Sequence, residues 1–216
     1  NKLNYKAFVC NEQHYYTYGA NVFVECVRKW GLKPTDNLLD IGCGSLRVGK
    51  HLIPFLEPEK YCAVEPEQKY LYDGLKWEVS EPMLKLKKPS FIYNNDFDFT
   101  FFNRKFDFVL ASSVFIHCSP NQFVKCLKSL KGHLSKDGCF IVSFILSNPW
   151  ARQKTIEEPR PKDLPNHKDR PYRYSDNART TYNVSYLDDI LYENGFKRTK
   201  NQEQRGEQTR CEIKLL

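Results

Sequence analysis

The chain has 216 residues, of which 41% are hydrophobic and 27% charged, and its formal net charge is +7. This length and hydrophobic content suit one folded domain with a sizeable core and argue against disorder. No apolar run is long enough to cross a membrane and no signal peptide is visible, while the positive charge permits an anionic partner without requiring one.

The first 34 residues predict an amphipathic helix in front of the core. Apolar residues recur at helical spacing from Val22 to Trp30. A run of aromatic residues that includes Tyr16 and Tyr18 precedes them. Two interpretations stay open: these tyrosines close over a ligand, or they pack the helix onto the sheet.

From residue 38 onward, strand and helix patterns alternate, which predicts an α/β domain with a parallel sheet and right-handed crossovers. The predicted strands are Leu38–Ile41, Tyr61–Val64, Phe91–Tyr93, Phe106–Ala111 and Cys139–Leu146. The predicted helices are Leu46–Leu56, Glu67–Val79, Pro120–Leu134 and Tyr186–Tyr192, and a closing hairpin joins Phe196–Glu203 to Thr209–Leu216.

Three stretches are predicted without regular structure. The basic cluster Lys85–Lys88 is interpreted as a solvated loop, and Lys136–Gly138 as a turn. Between Ser147 and Thr181, prolines and charges interrupt the pattern. A long loop inside a compact domain is usually functional or disordered. Because this one leaves the last parallel strand on the ligand side, we expect a substrate wall that includes Trp150.

The eight cysteines contain no C-x-x-C pair, and neither they nor the acidic residues predict a metal site. Free thiols in a reducing compartment are the favoured interpretation, which predicts a cytoplasmic protein. In that compartment the sequon Asn183–Ser185 carries no meaning. The chain begins with Asn1 rather than Met, from which we expect a piece of a larger protein with further domains.

A glycine-containing turn, Asp40-Ile41-Gly42-Cys43-Gly44, follows the first predicted strand and precedes a helix. This arrangement opens nucleotide-binding α/β domains. The third glycine of the dinucleotide fingerprint would fall at position 47, where the chain has Arg47. A carboxylate at Asp40 suits a ligand that carries a cationic amine and suits a pyrophosphate poorly.

The segment Asp40–Gly44 resembles motif I of the class I S-adenosylmethionine (SAM)-dependent methyltransferases. Three later landmarks occur in the family's order, each at the end of a predicted strand: Tyr61–Pro66, Asn95–Phe97 and Phe106–Ser113. The resemblance covers residues 35–146. It implies a doubly wound, mostly parallel seven-stranded sheet with helices on both faces. It also implies SAM as cofactor and S-adenosylhomocysteine (SAH) as product.

The resemblance implies roles for residues of the turn after the first strand. Gly42, Cys43 and Gly44 would form the bend around the methionine moiety, with Asp40 near its amino group. The amides after Gly44 lie at a predicted helix start and would receive the methionine carboxylate. Arg47 either assists them or is a surface residue.

Further cofactor contacts are expected at the ends of the next strands. Glu65 suits an acid that accepts hydrogen bonds from both ribose hydroxyls. Asp96, or its neighbour Asp98, would accept from the adenine amino group, with Phe97 either stacking on the ring or packing in the core. The candidate contacts beyond the turn are Glu65, Pro66, Asn95, Asp96, Phe97, Ser112 and Ser113.

The methyl group should be presented where Ser112 and Ser113 follow the fourth strand. This position lacks the Pro-Pro-aromatic motif typical of enzymes that methylate nucleobase amino groups. A hydroxyl acceptor must lose a proton, and His117 is the candidate base. The alternative interpretation is that His117 packs on the sheet or contacts the cofactor. Low-ranked substrate contacts are Tyr16, Tyr18 and Trp150, and weaker base candidates are His14 and His167.

The sequence thus predicts an N-terminal flank (1–34), a cofactor-binding core (35–146) and a substrate side with the final helix and strands (147–216). The favoured function is SAM-dependent methyl transfer to a hydroxyl of a carbohydrate or another small polar acceptor. Methylation of RNA or protein is an open alternative, as is a non-catalytic nucleotide-binding module. A dinucleotide oxidoreductase is disfavoured by Arg47.

Overall fold

The computed structural model describes residues 12–147 and 179–216. Its strands are β1 (Leu38–Ile41), β2 (Tyr61–Val64), β3 (Ser90–Ile92), β4 (Phe106–Ala111), β5 (Leu134–Ser147), β6 (Thr181–Asn183), β7 (Phe196–Arg205) and β8 (Gln208–Leu215). Its helices are α1 (Glu12–Arg28), α2 (Gly49–Phe55), α3 (Gln68–Trp77), α4 (Glu81–Lys87), α5 (Pro120–Lys131) and α6 (Val184–Glu193).

The strands form one sheet in the order β3-β2-β1-β4-β5-β8-β7, with β6 paired to the end of β5. Strands β1 to β5 run parallel, and β8 is antiparallel to both β5 and β7. The predicted doubly wound, mostly parallel sheet is therefore confirmed, with the short β6 added to the seven expected strands. The strand order reverses between β1 and β4, and ligands of such sheets bind beyond the carboxyl ends at this point.

Both faces of the sheet are buried, which explains why β1 is apolar almost throughout. Leu39 and Ile41 of β1 belong to the hydrophobic cluster that includes residues of α5 and α6. Leu38 belongs to the cluster on the other face, which includes residues of α1, α2 and α3. Helix α1 is thus part of the core layer beside β1.

The helices around the first crossover differ from their predicted bounds. Helix α2 begins at Gly49 rather than Leu46, because Leu46 has a φ of 60°, which an α-helix does not allow. The predicted helix 67–79 ends at Trp77, and α4 begins after Ser80, whose hydroxyl accepts from the Met83 amide. The prediction of a loop at Lys85–Lys88 is therefore wrong, since α4 extends to Lys87.

Strand β5 begins earlier than predicted. Phe106 pairs with Leu134 and Phe108 with Cys139, so the residues between Leu134 and Cys139 form a bulge. The turn predicted at Lys136–Gly138 is that bulge. The closing hairpin is confirmed by the pairing of β7 with β8.

The seven cysteines within the described ranges are all buried, and none of them forms a disulfide. Among the helices described, none has both the length and the apolar character needed to cross a membrane. Cys10, Trp150 and His167 lie outside the described residues, as does most of the expected substrate wall.

Candidate functional site

The turn after β1 opens a space at the carboxyl edge of the sheet. Gly42 and Gly44 both have positive φ, 68° and 57°, which glycine adopts without strain. A Cβ on Gly42 would lie 2.7 Å from the Val114 side chain, whereas a Cβ on Gly44 would meet nothing within 4 Å. Gly42 is therefore needed for packing, and Gly44 borders open space where a ligand can approach the backbone.

Helix α1 packs directly onto this turn. The buried Tyr15 hydroxyl donates to the Ser45 carbonyl at 2.7 Å. A Cβ on Gly19 would lie 2.0 Å from the Arg47 carbonyl oxygen, so only glycine permits this contact. Tyr15 therefore packs α1 onto the core, as one of the two interpretations of the tyrosine run expects. Tyr16, in contrast, is exposed.

Glu65, at the end of β2, is tied to the same turn. One carboxylate oxygen accepts from the Gly44 amide at 2.8 Å, and the other accepts from the Glu67 amide at 3.0 Å. The residue is 6% exposed, and burial raises its pKa in spite of these two hydrogen bonds. Half-buried Pro66 follows it and leads into α3. The two amides orient the Glu65 carboxylate beside the glycine turn.

Asp40 is 3% exposed and accepts a hydrogen bond from the Tyr61 hydroxyl at 2.7 Å. Burial raises the pKa of Asp40 to about 7, although the Tyr61 hydrogen bond opposes this effect. Glu65 raises the pKa further, and Arg47 lowers it. Asp40 and Glu65 are therefore two buried acids whose charges repel each other, and a cationic ligand would be stabilised beside them.

The loop after β3 is held by its own polar side chains. Asn94 Oδ1 accepts from the Asp96 and Phe97 amides, and Asp98 accepts from the Thr100 amide at 2.9 Å and from its hydroxyl at 2.7 Å. Asp98 thus stabilises the loop. Asp96, like Asn95, is exposed.

Phe97 belongs to the buried core and packs on Phe115, with ring centroids 5.9 Å apart. Its position matches the core alternative that the sequence left open.

Polar side chains from three parts of the chain meet at the end of β4. The Tyr18 hydroxyl lies 2.9 Å from Ser112 Oγ and 2.8 Å from Ser113 Oγ. Ser113 Oγ also donates to Gln208 Oε1 of β8 at 3.0 Å. We call Tyr18, Ser112, Ser113 and Gln208 the hydroxyl cluster.

Two guanidinium groups flank the Tyr18 ring. Arg47 Cζ lies 4.0 Å from the ring centroid and Arg210 Cζ lies 5.1 Å from it. Arg210 is 3% exposed and pairs with Glu25, which is 7% exposed and also binds Arg205 Nε at 2.8 Å. The hydroxyl cluster therefore lies in a positive electrostatic field, which the buried carboxylate of Glu25 balances in part.

His117 is exposed, in the turn that follows the hydroxyl cluster. The chain returns beside it at Thr180, whose amide donates to the Ile116 carbonyl at 2.8 Å and whose hydroxyl donates to the Cys118 carbonyl at 2.7 Å. The segment that starts after Ser147 therefore ends at the same edge of the sheet.

The structure brings several of the predicted residues together in three separate contacts. Glu65 meets Gly44, Gly42 lies against Val114, and Arg47 lies over Tyr18. Sequence reasoning missed Tyr61, Glu25, Gln208, Arg205 and Arg210. No local pattern marks the last four, because they meet the site only through tertiary packing.

A family model described as "Methyltransferase domain" matches residues 39–140. Among solved structures, the DhpI–SAM–HEP complex is 14% identical with a TM-score of 0.67, over 99% of this chain and 92% of that one. The glycopeptide N-methyltransferase MtfA is 17% identical with a TM-score of 0.65, over 92% and 90%. The magnesium protoporphyrin IX methyltransferase ChlM from Synechocystis, with bound SAM, is 15% identical with a TM-score of 0.61, over 93% and 79%.

Proposed function

We propose, from the premise that this chain is a SAM-dependent methyltransferase of the class I fold, that its acceptor is a hydroxyl of a small polar molecule such as a carbohydrate. The methyltransferase model over residues 39–140 and the fold shared with structures that hold SAM or SAH support the family and the cofactor inferred from Asp40–Gly44, with SAH as the product. The acceptor and the roles of individual residues are our proposal.

The glycine turn suits SAM better than a dinucleotide. Open space faces Gly44, and two buried carboxylates, Asp40 and Glu65, lie beside it. A pyrophosphate there would add charges of the same sign, whereas SAM combines an adenosine with an ammonium group and has no phosphate. When bound, SAM supplies a methyl group on a sulfonium sulfur; its transfer to a hydroxyl forms an O–C bond, breaks the S–C bond, leaves that electron pair on sulfur and releases one proton.

In this proposal each acid holds one part of the cofactor. Glu65, oriented by the Gly44 and Glu67 amides, accepts from the ribose hydroxyls. Asp40 balances the ammonium group, and the exposed Asp96 accepts from the adenine amino group.

The observation that carries the hydroxyl acceptor is the hydroxyl cluster at the end of β4. The Tyr18 hydroxyl lies within hydrogen-bond reach of the Ser112 and Ser113 hydroxyls, and these groups can exchange their bonds for bonds to a polar acceptor. Arg47 and Arg210 flank this cluster. A protonated amine would be repelled by the two guanidinium groups, whereas a neutral hydroxyl would not.

The division of the chain that the sequence predicts also becomes part of the proposal. Residues 35–146 bind the cofactor, while the flank 1–34 contributes Tyr18 and the part 147–216 contributes Arg210 to the acceptor side. On this basis Tyr16 and Trp150 remain candidate acceptor contacts. The buried thiols support a reducing, cytoplasmic location.

The test is a methyl-donor assay over glycans, small alcohols, amines and RNA, read by mass spectrometry, with calorimetry for SAM, SAH and NAD. We expect SAM and SAH to bind, NAD not to bind, and a mass gain of one methylene group on a hydroxyl compound. Transfer to amines or RNA alone would contradict the hydroxyl acceptor. A steep loss of binding with salt would favour RNA.

A further inference from the structure

Tyr18 is an ionisable side chain that is held by several contacts on the acceptor side. Its hydroxyl oxygen lies within 2.9 Å of Ser112 Oγ and 2.8 Å of Ser113 Oγ, at the strand end where the methyl group should be presented. The helix that carries it cannot shift easily, because Gly19 packs against the Arg47 carbonyl with no room for a side chain. The phenol oxygen is therefore held in one place.

The charges around Tyr18 favour its deprotonated form. Of the described residues, the ionisable groups that face it are Arg47 from the turn after β1, Arg210 from β8 and His14 from its own helix. Glu25 pairs with both Arg210 and Arg205, so its negative charge is divided between two guanidinium groups.

Together, the positive charges and hydrogen bonds around Tyr18 affect its pKa more strongly than burial does. Burial alone would raise the pKa of Tyr18, but Arg210, Arg47 and the hydrogen bonds with Ser112 and Ser113 together lower the pKa below its ordinary value. A general base works best when its pKa lies near the working pH. The same surroundings that fix the phenol oxygen also bring it closer to that range.

We infer that Tyr18, rather than His117, takes the proton from the acceptor hydroxyl. This inference rests on the proposed transfer to oxygen. Before the acceptor binds, the Tyr18 hydroxyl loses its proton to solvent water, and Arg47 and Arg210 balance the phenolate. The phenolate oxygen then takes the proton that the acceptor hydroxyl releases on methylation, and returns it to water in the next cycle. Ser112 donates a hydrogen bond to the phenolate throughout.

The first test needs no acceptor. The near-ultraviolet absorbance of tyrosinate is titrated against pH in the wild type, in Tyr18→Phe and in Tyr192→Phe, which removes an exposed tyrosine of α6. In the wild type and in Tyr192→Phe, we expect one tyrosine to ionise at a lower pH than the others. In Tyr18→Phe, this first step of the titration should be absent. An unchanged early titration in Tyr18→Phe would overturn the inference.

The second test uses a hydroxyl acceptor found with the wild type. We expect Tyr18→Phe to lower kcat by about 10²–10⁴-fold and to lose the rise of kcat with pH, while SAH affinity measured by calorimetry stays unchanged. Tyr192→Phe should behave as wild type. If the wild type methylates a hydroxyl and Tyr18→Phe is equally active, the inference alone is wrong. If the wild type methylates only amines, the proposed function fails and the inference fails with it.

Discussion

The cofactor side and the acceptor side of the site are built in different ways. On the cofactor side, the bonds from the Gly44 amide to Glu65 and from Tyr61 to Asp40 each join residues 21 positions apart. On the acceptor side, Tyr18 and Ser112 are 94 positions apart, and Glu25 and Arg210 are 185 apart. The two cofactor-side bonds lie within the single crossover from β1 to β2, whereas the acceptor side exists only once distant elements have packed together.

The largest expected effect concerns the distant contacts. Glu25→Gln leaves the buried Arg210 without its balancing charge, and removing one partner of a buried pair costs about 3–5 kcal/mol. We expect the free energy of unfolding, measured by urea denaturation, to fall by that amount. Glu203→Gln is the control, because it breaks the more exposed pair with Lys29 and should cost about 1 kcal/mol at most. If the free energy of unfolding fell equally in the two variants, burial of Arg210 would not increase the contribution of its ion pair to stability.

On the cofactor side, Glu65→Ala should act on binding more than on folding. The variant removes the carboxylate proposed to hold the ribose, at a cost of about 1–3 kcal/mol for a charged hydrogen bond. Calorimetry with SAH should therefore show weaker binding, while Glu81→Ala, which removes an exposed acid of α4, should leave affinity unchanged. Wild-type affinity in Glu65→Ala would remove Glu65 from the proposed site.

The pH dependence of stability tests Asp40. Burial raises its pKa from 3.8 to about 7, so between these values the folded chain keeps a proton that the unfolded chain has lost. This group therefore makes the cofactor-free protein less stable as pH rises across that window, and Asp40→Asn should remove its contribution. Urea denaturation at both ends of the window measures the difference. The same slope in both proteins would mean that Asp40 is not the group responsible.

The smallest expected effect is that of His117→Ala. If Tyr18 takes the proton, this variant should lose less turnover than Tyr18→Phe and should bind SAH as the wild type does. A loss as large as that of Tyr18→Phe, with SAH affinity unchanged, would return the role of base to His117.

The contrast between the two sides also explains what the sequence predicted. The bounds of β1, β2 and β4 follow from short apolar runs buried on both faces, and the glycine turn follows from its local spacing. The start of α2 was missed because the left-handed Leu46 has no sequence signal. Helix α4 was missed because its surface is largely exposed and lacks an apolar stripe, although Ser80 and Pro82 mark its start.

Of the proposed acceptor side, sequence reasoning named Ser112 and Ser113 as cofactor contacts and Tyr18 as a low-ranked substrate contact. The electrostatic surroundings of Tyr18 depend on Arg210. The sequence around Arg210 shows only the alternating pattern of a β-strand. A charge 185 positions away from its partner leaves no local pattern.

The pairing of α1 with β8 has a consequence for synthesis on the ribosome. The glycine turn and the acids Asp40 and Glu65 lie between residues 40 and 65, so a nascent chain can bring the proposed cofactor contacts together early. Glu25 must wait for Arg210, which is made 185 residues later. Until then the proposed acceptor side is incomplete, and a partly synthesised chain that binds the methyl donor would be unable to transfer its methyl group.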